Sequence, residues 1–191
     1  MGAINKFDIG RLISEKQIKN YLETGLGEGM CMSHMLQFQL DRRISVEIHP
    51  ELYKLGKLKF PNEEILLGNS YEVLQNIFPT LNGNTLFFLD AHFPGADFHF
   101  NTYAECANDG SKLPLEEELL LLAKYRSNCN DVIIIDDLRI YMDGPYTDGN
   151  WKDRGKLGSS KPGFIFDILT QMNFNININY QDQGYVIGYK S

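Results

Sequence analysis

The chain has 191 residues, of which 43% are hydrophobic and 23% charged, with a formal net charge of −7. That size and mix suit one soluble globular domain over 1–191, and no apolar run approaches the roughly 20 residues that a bilayer span requires. The acidic balance argues against a nucleic-acid surface, which needs clustered Lys and Arg, so a small molecule is the expected partner, with no nucleic acid and no membrane.

The opening MGAINKFDIGR has no apolar signal core and no Arg-rich transit character, and Lys6 stands where a myristoylation site has Ser or Thr, so a cytoplasmic location is the default. Strand composition begins with YLETGL from Tyr21, followed by a glycine turn and the helix-like MCMSHMLQFQLDR after Gly29. RISVEIH from Arg43 is the second strand, PELYKLGKLK after His49 a helix, EEILLGN from Glu63 the third strand and SYEVLQNIF after Asn69 the next helix. The basic cluster Lys54, Lys57 and Lys59 in the first of these has acids nearby and reads as a solvated helix face. TLFFLDAH from Thr85 is the fourth strand, PLEEELLLLAKYR from Pro114 a helix, and DVIIIDDL from Asp131 the fifth strand.

Strands alternating with helices in this way imply an α/β fold with a parallel sheet covered on both faces. The last two strands, FNININY from Phe174 and GYVIGYK from Gly184, are separated by QDQ alone. That link suits a hairpin and is too short for a crossover, so the sheet should end in an antiparallel pair. The long connections Phe93–Leu113 and Arg139–Lys161 follow the carboxyl ends of strands, where open α/β sheets place ligands. Both are expected to form an acceptor site and to be mobile without ligand. Cys31, Cys106 and Cys129 are odd in number and lack C-x-x-C spacing, which fits free thiols.

A strand as apolar as TLFFLDAH ends in Asp90 and His92, and a buried carboxylate is costly unless it is paired, hydrogen-bonded or bound to a metal. The fifth strand ends in Asp136 and Asp137, and neighbouring parallel strands lie about 4.8 Å apart. Three carboxylates therefore share one rim. An oxygen-rich cluster suits Mg²⁺, Mn²⁺ or Ca²⁺; the competing reading is that Asp136 or Asp137 caps a helix or pairs with Arg139. At the other end of the rim, Gly25, Gly27 and Gly29 lie between a strand and a helix, where the backbone can approach a ligand. A tight turn with no ligand explains them too. The spacing departs from G-x-G-x-x-G, which disfavours pyrophosphate. Glu47 closes the second strand at the position where an acid takes ribose hydroxyls. Asn69 can offer an amide to a base edge, and Ser70 reads as the helix N-cap.

The motifs ETGLGEG, SVEIHPELY, LLGNSYEVL, FFLDAHFPG, PLEEEL and VIIIDDLRIY, from about Tyr21 to Tyr141, resemble a bacterial group of small class I S-adenosylmethionine-dependent methyltransferase-like proteins. The resemblance implies a Rossmann-like seven-stranded, mostly parallel sheet with a reversed last strand. It implies that Glu23, Gly25 and Gly27 face the methionine part of the cofactor, Glu47 the ribose and Asn69 the adenine, with Gly29, Ser70 and Asp90 completing the cofactor site. The wider family usually has Asp where Asn69 stands.

The acidic rim is similar to that of metal-dependent O-methyltransferases, which implies that Asp90, Asp136 and Asp137 hold Mg²⁺ or Mn²⁺. Phe93 stands where the catechol type has a lysine base, so His92, two residues past Asp90, is the base candidate, with a structural or metal-ligand role as alternative. His34, His49 and His99 have weaker cases. Tyr141, Tyr146 and Trp151 are candidates for an aromatic acceptor wall, or for packing on their own loop. Glu117 aligns with a recurrent acid of the group and reads as an exposed helix position. The expected activity is metal-assisted O-methylation of a small hydroxylated acceptor such as a sugar. The alternatives are a nucleoside-binding protein without transfer, or an enzyme using the pocket for other chemistry. Homo-oligomerisation is left open.

Overall fold

The computed structural model describes residues 3–93, 95–98, 100, 113–151 and 163–191. Most of the connection from 94 to 112 and the stretch 152–162 lie outside the described residues, and with them His99, Cys106 and much of the expected acceptor site.

Seven strands form one sheet: β1 (Ile18–Thr24), β2 (Arg42–Glu47), β3 (Glu64–Leu67), β4 (Asn84–Leu89), β5 (Val132–Ile135), β6 (Asn175–Asn179) and β7 (Tyr185–Tyr189). Their order is β3-β2-β1-β4-β5-β7-β6. β1 to β5 are mutually parallel, and β7 runs antiparallel to both β5 and β6. The hairpin read from the QDQ link is therefore present, and the sheet has the expected reversed strand.

The apolar runs of β4 and β5 are explained by what covers them. Successive side chains of a strand point to opposite faces. Leu86, Phe88, Val132 and Ile134 enter one core cluster with Ile9, Met32 and Phe60. Phe87, Leu89, Ile133 and Ile135 enter the other, with Leu74, Leu119 and Ile165. Both faces are buried, so neither strand needs a polar alternate residue until the rim.

Among the described residues the helices are α1 (Ile9–Lys16), α2 (Met30–Met35), α3 (Pro50–Lys59), α4 (Ser70–Ile77), α5 (Leu115–Arg126) and α6 (Phe164–Gln171). Two of these, α1 and α6, go beyond the sequence reading. α1 starts where the Asp8 side chain accepts the Arg11 N–H (3.0 Å) and stops at Gln17 in the left-handed region. α6 buries Phe164, Ile165, Ile168 and Leu169. The helix expected over MCMSHMLQFQLDR is cut short at Met35 because Arg43 donates to the carbonyls of Met35 and Phe38. The chain then turns into β2 instead of winding on. At the amino-terminal edge of the sheet, buried Arg126 pairs with Asp131 (2.7 Å) and donates to the carbonyls of Leu81 and Gly83. This clamp fixes α5 against β4 and β5. No described helix is long and apolar enough to cross a membrane.

Candidate functional site

The sheet ladder continues past the strand ends and holds the rim residues in place. Gly25 N–H donates to Val46 O (2.9 Å), Gly68 N–H to Glu47 O (3.0 Å), Asp90 N–H to Thr24 O (3.1 Å) and Asp136 N–H to Leu89 O (3.1 Å). β1 lies between β2 and β4, so the chain leaves it in opposite directions and a crevice opens there. An open cleft lies at this point, and its lining includes Gly25, Gly27, Glu47, Asn69, Asp90 and His92.

The glycine turn is built from close approaches. Gly25 has φ +83°, and a Cβ there would stand 2.8 Å from the carbonyl oxygen of Asp90. Gly27 has φ +53°, and its Cβ would meet the Phe98 ring at 2.8 Å. Glu47 anchors the turn, since one carboxylate oxygen accepts from Gly27 N–H (3.0 Å) and the other from His49 N–H (2.7 Å). Each oxygen keeps a further lone pair for a ligand hydroxyl. Burial raises the Glu47 pKa, and the N–H groups of His49 and Gly27 oppose that rise.

The α4 cap differs from the sequence reading. Asn69, rather than Ser70, is the N-cap, and its Oδ1 accepts from Tyr71 N–H (2.9 Å). Asn69 still lines the cleft, with its amide nitrogen as the group left to offer. Ser70 is the first helical residue and is buried. Glu23 lies beneath the cleft: it is 1% exposed and accepts from the Tyr21 hydroxyl (2.5 Å). Phe98, over Gly27, forms part of the cleft wall, and Phe100 stacks on His49 at 4.2 Å between ring centroids. Sequence reasoning missed both aromatics; their one signal was the alternation FHF soon after β4.

At the Asp90 end of the cleft, the structure gathers Asp90, His92 and Asp137: one ligating atom from each lies within 4.8 Å of the others. His92 Nε2 is 3.0 Å from Asp137 Oδ2, and Nδ1 is 3.5 Å from Asp90 Oδ1. Asp137 also lies 3.5 Å from Arg139 Nε. Asp136 stands behind them, 2% exposed, with one oxygen accepting Asp137 N–H (2.7 Å). The Asp90 carboxyl is held well above its usual range by burial, with Asp136 beside it adding to the rise. Burial and neighbouring Asp137 raise Asp136 to about 7. Phe93 (φ 38°) and Asp137 (φ 51°) both adopt the left-handed region, which costs a bulky Phe on the order of 1–3 kcal/mol. Phe93, next to His92, and Asp137 itself mark where the fold accepts strain to aim side chains. Buried carboxylates of one sign, with Asp90 Oδ1 and Asp136 Oδ2 lacking hydrogen-bond partners, form a donor set that suits a hard divalent cation.

The proposed wall aromatics are placed unequally. Trp151 stacks on Phe93 (5.3 Å, 12°) with the Arg139 guanidinium over its ring, so it borders the acidic cluster. Tyr141 is buried and lines a small cavity with Asp90, His92, Glu118 and Asp136. Tyr146 is buried against Gly184 and Tyr180. The loop carrying it is tied to the β6–β7 hairpin by bonds from Thr147 and Asp148 N–H to the carbonyls of Tyr180 and Asp182. Glu117 is exposed, as expected, but its neighbour Glu118 is 1% exposed and faces the site.

Glu23 and Glu118 are each raised to about 7, in both cases chiefly by burial. Between the ordinary 4.5 and about 7, the folded chain keeps two protons that the unfolded chain releases. Stability should therefore fall by a few kcal/mol as pH rises through that window. Urea unfolding at pH 5 and pH 8 measures it, and Glu23→Gln should flatten the dependence. A midpoint that does not move with pH in wild type would show that these acids are not held neutral.

No protein-family model matches the chain, and no curated protein sequence is similar to it. Solved structures are similar in fold. A caffeoyl-CoA O-methyltransferase assignment from Staphylococcus aureus superposes with a TM-score of 0.64 at 16% identity, covering 100% of this chain and 85% of that one. The S-adenosylhomocysteine-bound methyltransferase PaMTH1 of Podospora anserina gives 0.59 at 12% identity, covering 95% and 75%. A Bacillus cereus O-methyltransferase in complex with S-adenosylhomocysteine gives 0.59 at 12% identity, covering 95% and 78%. Over nearly its whole length, this chain has the seven-stranded Rossmann-like fold of these methyltransferases.

Proposed function

We propose that the chain is an S-adenosylmethionine-dependent methyltransferase that transfers a methyl group to a hydroxyl of a small acceptor such as a sugar, assisted by Mg²⁺ or Mn²⁺. The observation that carries this reading is that a glycine-lined cleft and a cluster of Asp90, His92 and Asp137 meet at Asp90 and His92, which belong to both. Bound S-adenosylmethionine supplies an electrophilic methyl group, and a divalent cation lowers the pKa of a coordinated hydroxyl. Gly25 and Gly27 let the cofactor lie against the backbone, Glu47 accepts from its ribose, and the amide nitrogen of Asn69 donates to its base. Asp90 and Asp137 would hold the cation, with Asp136 behind them. His92 takes the acceptor's proton, and Asp137 at 3.0 Å stabilises the imidazolium that results. Trp151 and Phe93 shield that proton from solvent.

The proximity of His92 Nε2 to Asp137 also favours a second reading, in which His92 is a third cation ligand and the acceptor loses its proton to solvent. Calorimetry separates the possibilities. S-adenosylhomocysteine should bind wild type, whereas NAD should not. Mn²⁺ added to that complex should bind wild type and not Asp137→Ala. Retained Mn²⁺ affinity in His92→Ala assigns the base role, and its loss assigns the ligand role. Absence of S-adenosylhomocysteine binding would overturn the methyltransferase reading.

A further inference from the structure

The buried acid Glu118 is used by nothing in that scheme. It is 1% exposed on α5, among Leu115, Leu119 and Leu122, all of them buried. Its Oε2 accepts a long bond from Thr24 Oγ1 (3.4 Å), and its Oε1 has no hydrogen-bond partner. Among the described residues, the ionisable group that bears on it most is Glu117, of the same sign. A carboxyl group so placed is a poor core residue, because an unpartnered buried oxygen costs more than an apolar side chain of similar size. Its position offers a reason to keep it. Thr24 immediately precedes Gly25, the first glycine of the cofactor turn, and the Ser70 hydroxyl that also bears on Glu118 follows Asn69. Glu118 further lines one small cavity together with Asp90, His92 and Asp136.

We propose that Glu118 is a positioning residue that ties α5 to the end of β1, and so sets the cofactor turn relative to the acidic rim. The inference rests on the methyltransferase reading. Without the Thr24 tie, the hydrogen bonds left to Thr24 and Gly25 among the described residues are their ladder bonds to β2 and β4, and the turn gains freedom that a ligand must remove on binding.

Three variants test it, each read by melting temperature and by calorimetric affinity for S-adenosylhomocysteine. Glu118→Leu should raise the melting temperature and weaken binding by roughly tenfold, the scale of one lost hydrogen-bonded constraint. Glu118→Gln, which keeps an oxygen for Thr24, should hold affinity within about threefold of wild type. Thr24→Val, which cuts the same bond from the other side, should weaken binding as much as Glu118→Leu. Combining Thr24→Val with Glu118→Leu should add nothing. A role in packing alone would lower melting temperature and affinity together, and that outcome overturns the proposal. Undiminished affinity in Thr24→Val overturns it even if Glu118→Leu fails to fold. Wild type that does not bind S-adenosylhomocysteine overturns the methyltransferase reading itself, and this inference with it.

Discussion

Replacing Gly27 with valine is expected to abolish S-adenosylhomocysteine binding, with a loss well beyond 100-fold, while leaving the domain folded. Two effects act at that position. The backbone has φ +53°, which a β-branched residue adopts only under strain. In addition, its Cβ would stand 2.8 Å from the ring of Phe98, a residue of the cleft wall, so the added side chain reshapes the proposed cofactor site. Gly27 itself is only partly buried and lines the cleft, so the strain falls on a local loop and the cooperative melting transition should survive. Gly25→Val is a different experiment: its Cβ would meet the backbone carbonyl of Asp90, which cannot rotate away, and the fold itself should suffer. Calorimetry on a Gly27→Val protein with an intact melting transition makes the check, and wild-type affinity there would move the cofactor elsewhere.

Replacing His92 with alanine should lower turnover by roughly 10²–10⁴-fold, the range for loss of a general base, with S-adenosylhomocysteine affinity unchanged. His92 is held by its ring nitrogen, 3.0 Å from its neighbour Asp90's carbonyl, and by Asp137. The ring is therefore fixed in orientation before any acceptor arrives, which is what a base in a defined tautomer requires. Added imidazole should restore part of the rate if the deficit is a missing proton acceptor. An unchanged rate with a standard hydroxylated acceptor would leave His92 as a structural neighbour of two aspartates.

Much of this site was legible before any coordinates. The continuous apolar runs of β4 and β5 end abruptly in acids, and strands buried on both faces can end so only at a rim. The glycines of ETGLGEG and the acid Glu47 follow from the same logic, since in a parallel sheet the carboxyl ends of adjacent strands must meet at one edge. Local rules were less sufficient at helix ends. Asn69 and Ser70 are both good N-caps, and only the course of the backbone decided that Asn69 takes the Tyr71 N–H.

What the sequence by itself determined was the succession of strands along the chain, the crossovers among the first five of them, the closing hairpin, and the edge on which Asp90, His92, Asp136 and Asp137 would lie, because periodicity and link length are local quantities. The order of the strands within the sheet came from the tertiary structure. Tertiary structure also decided which of those four residues meet. The left-handed turn at Asp137 aims its carboxylate at His92 while Asp136 faces inward; two adjacent aspartates on a strand end point to opposite faces, and no local signal says which faces the ligand. It likewise distinguished Glu118 from Glu117 and Glu116. In a run of three acids on an otherwise weakly amphipathic helix, the burial of one carboxyl group depends on how α5 rotates against β1 and α4, a rotation fixed by distant contacts such as the Arg126–Asp131 clamp.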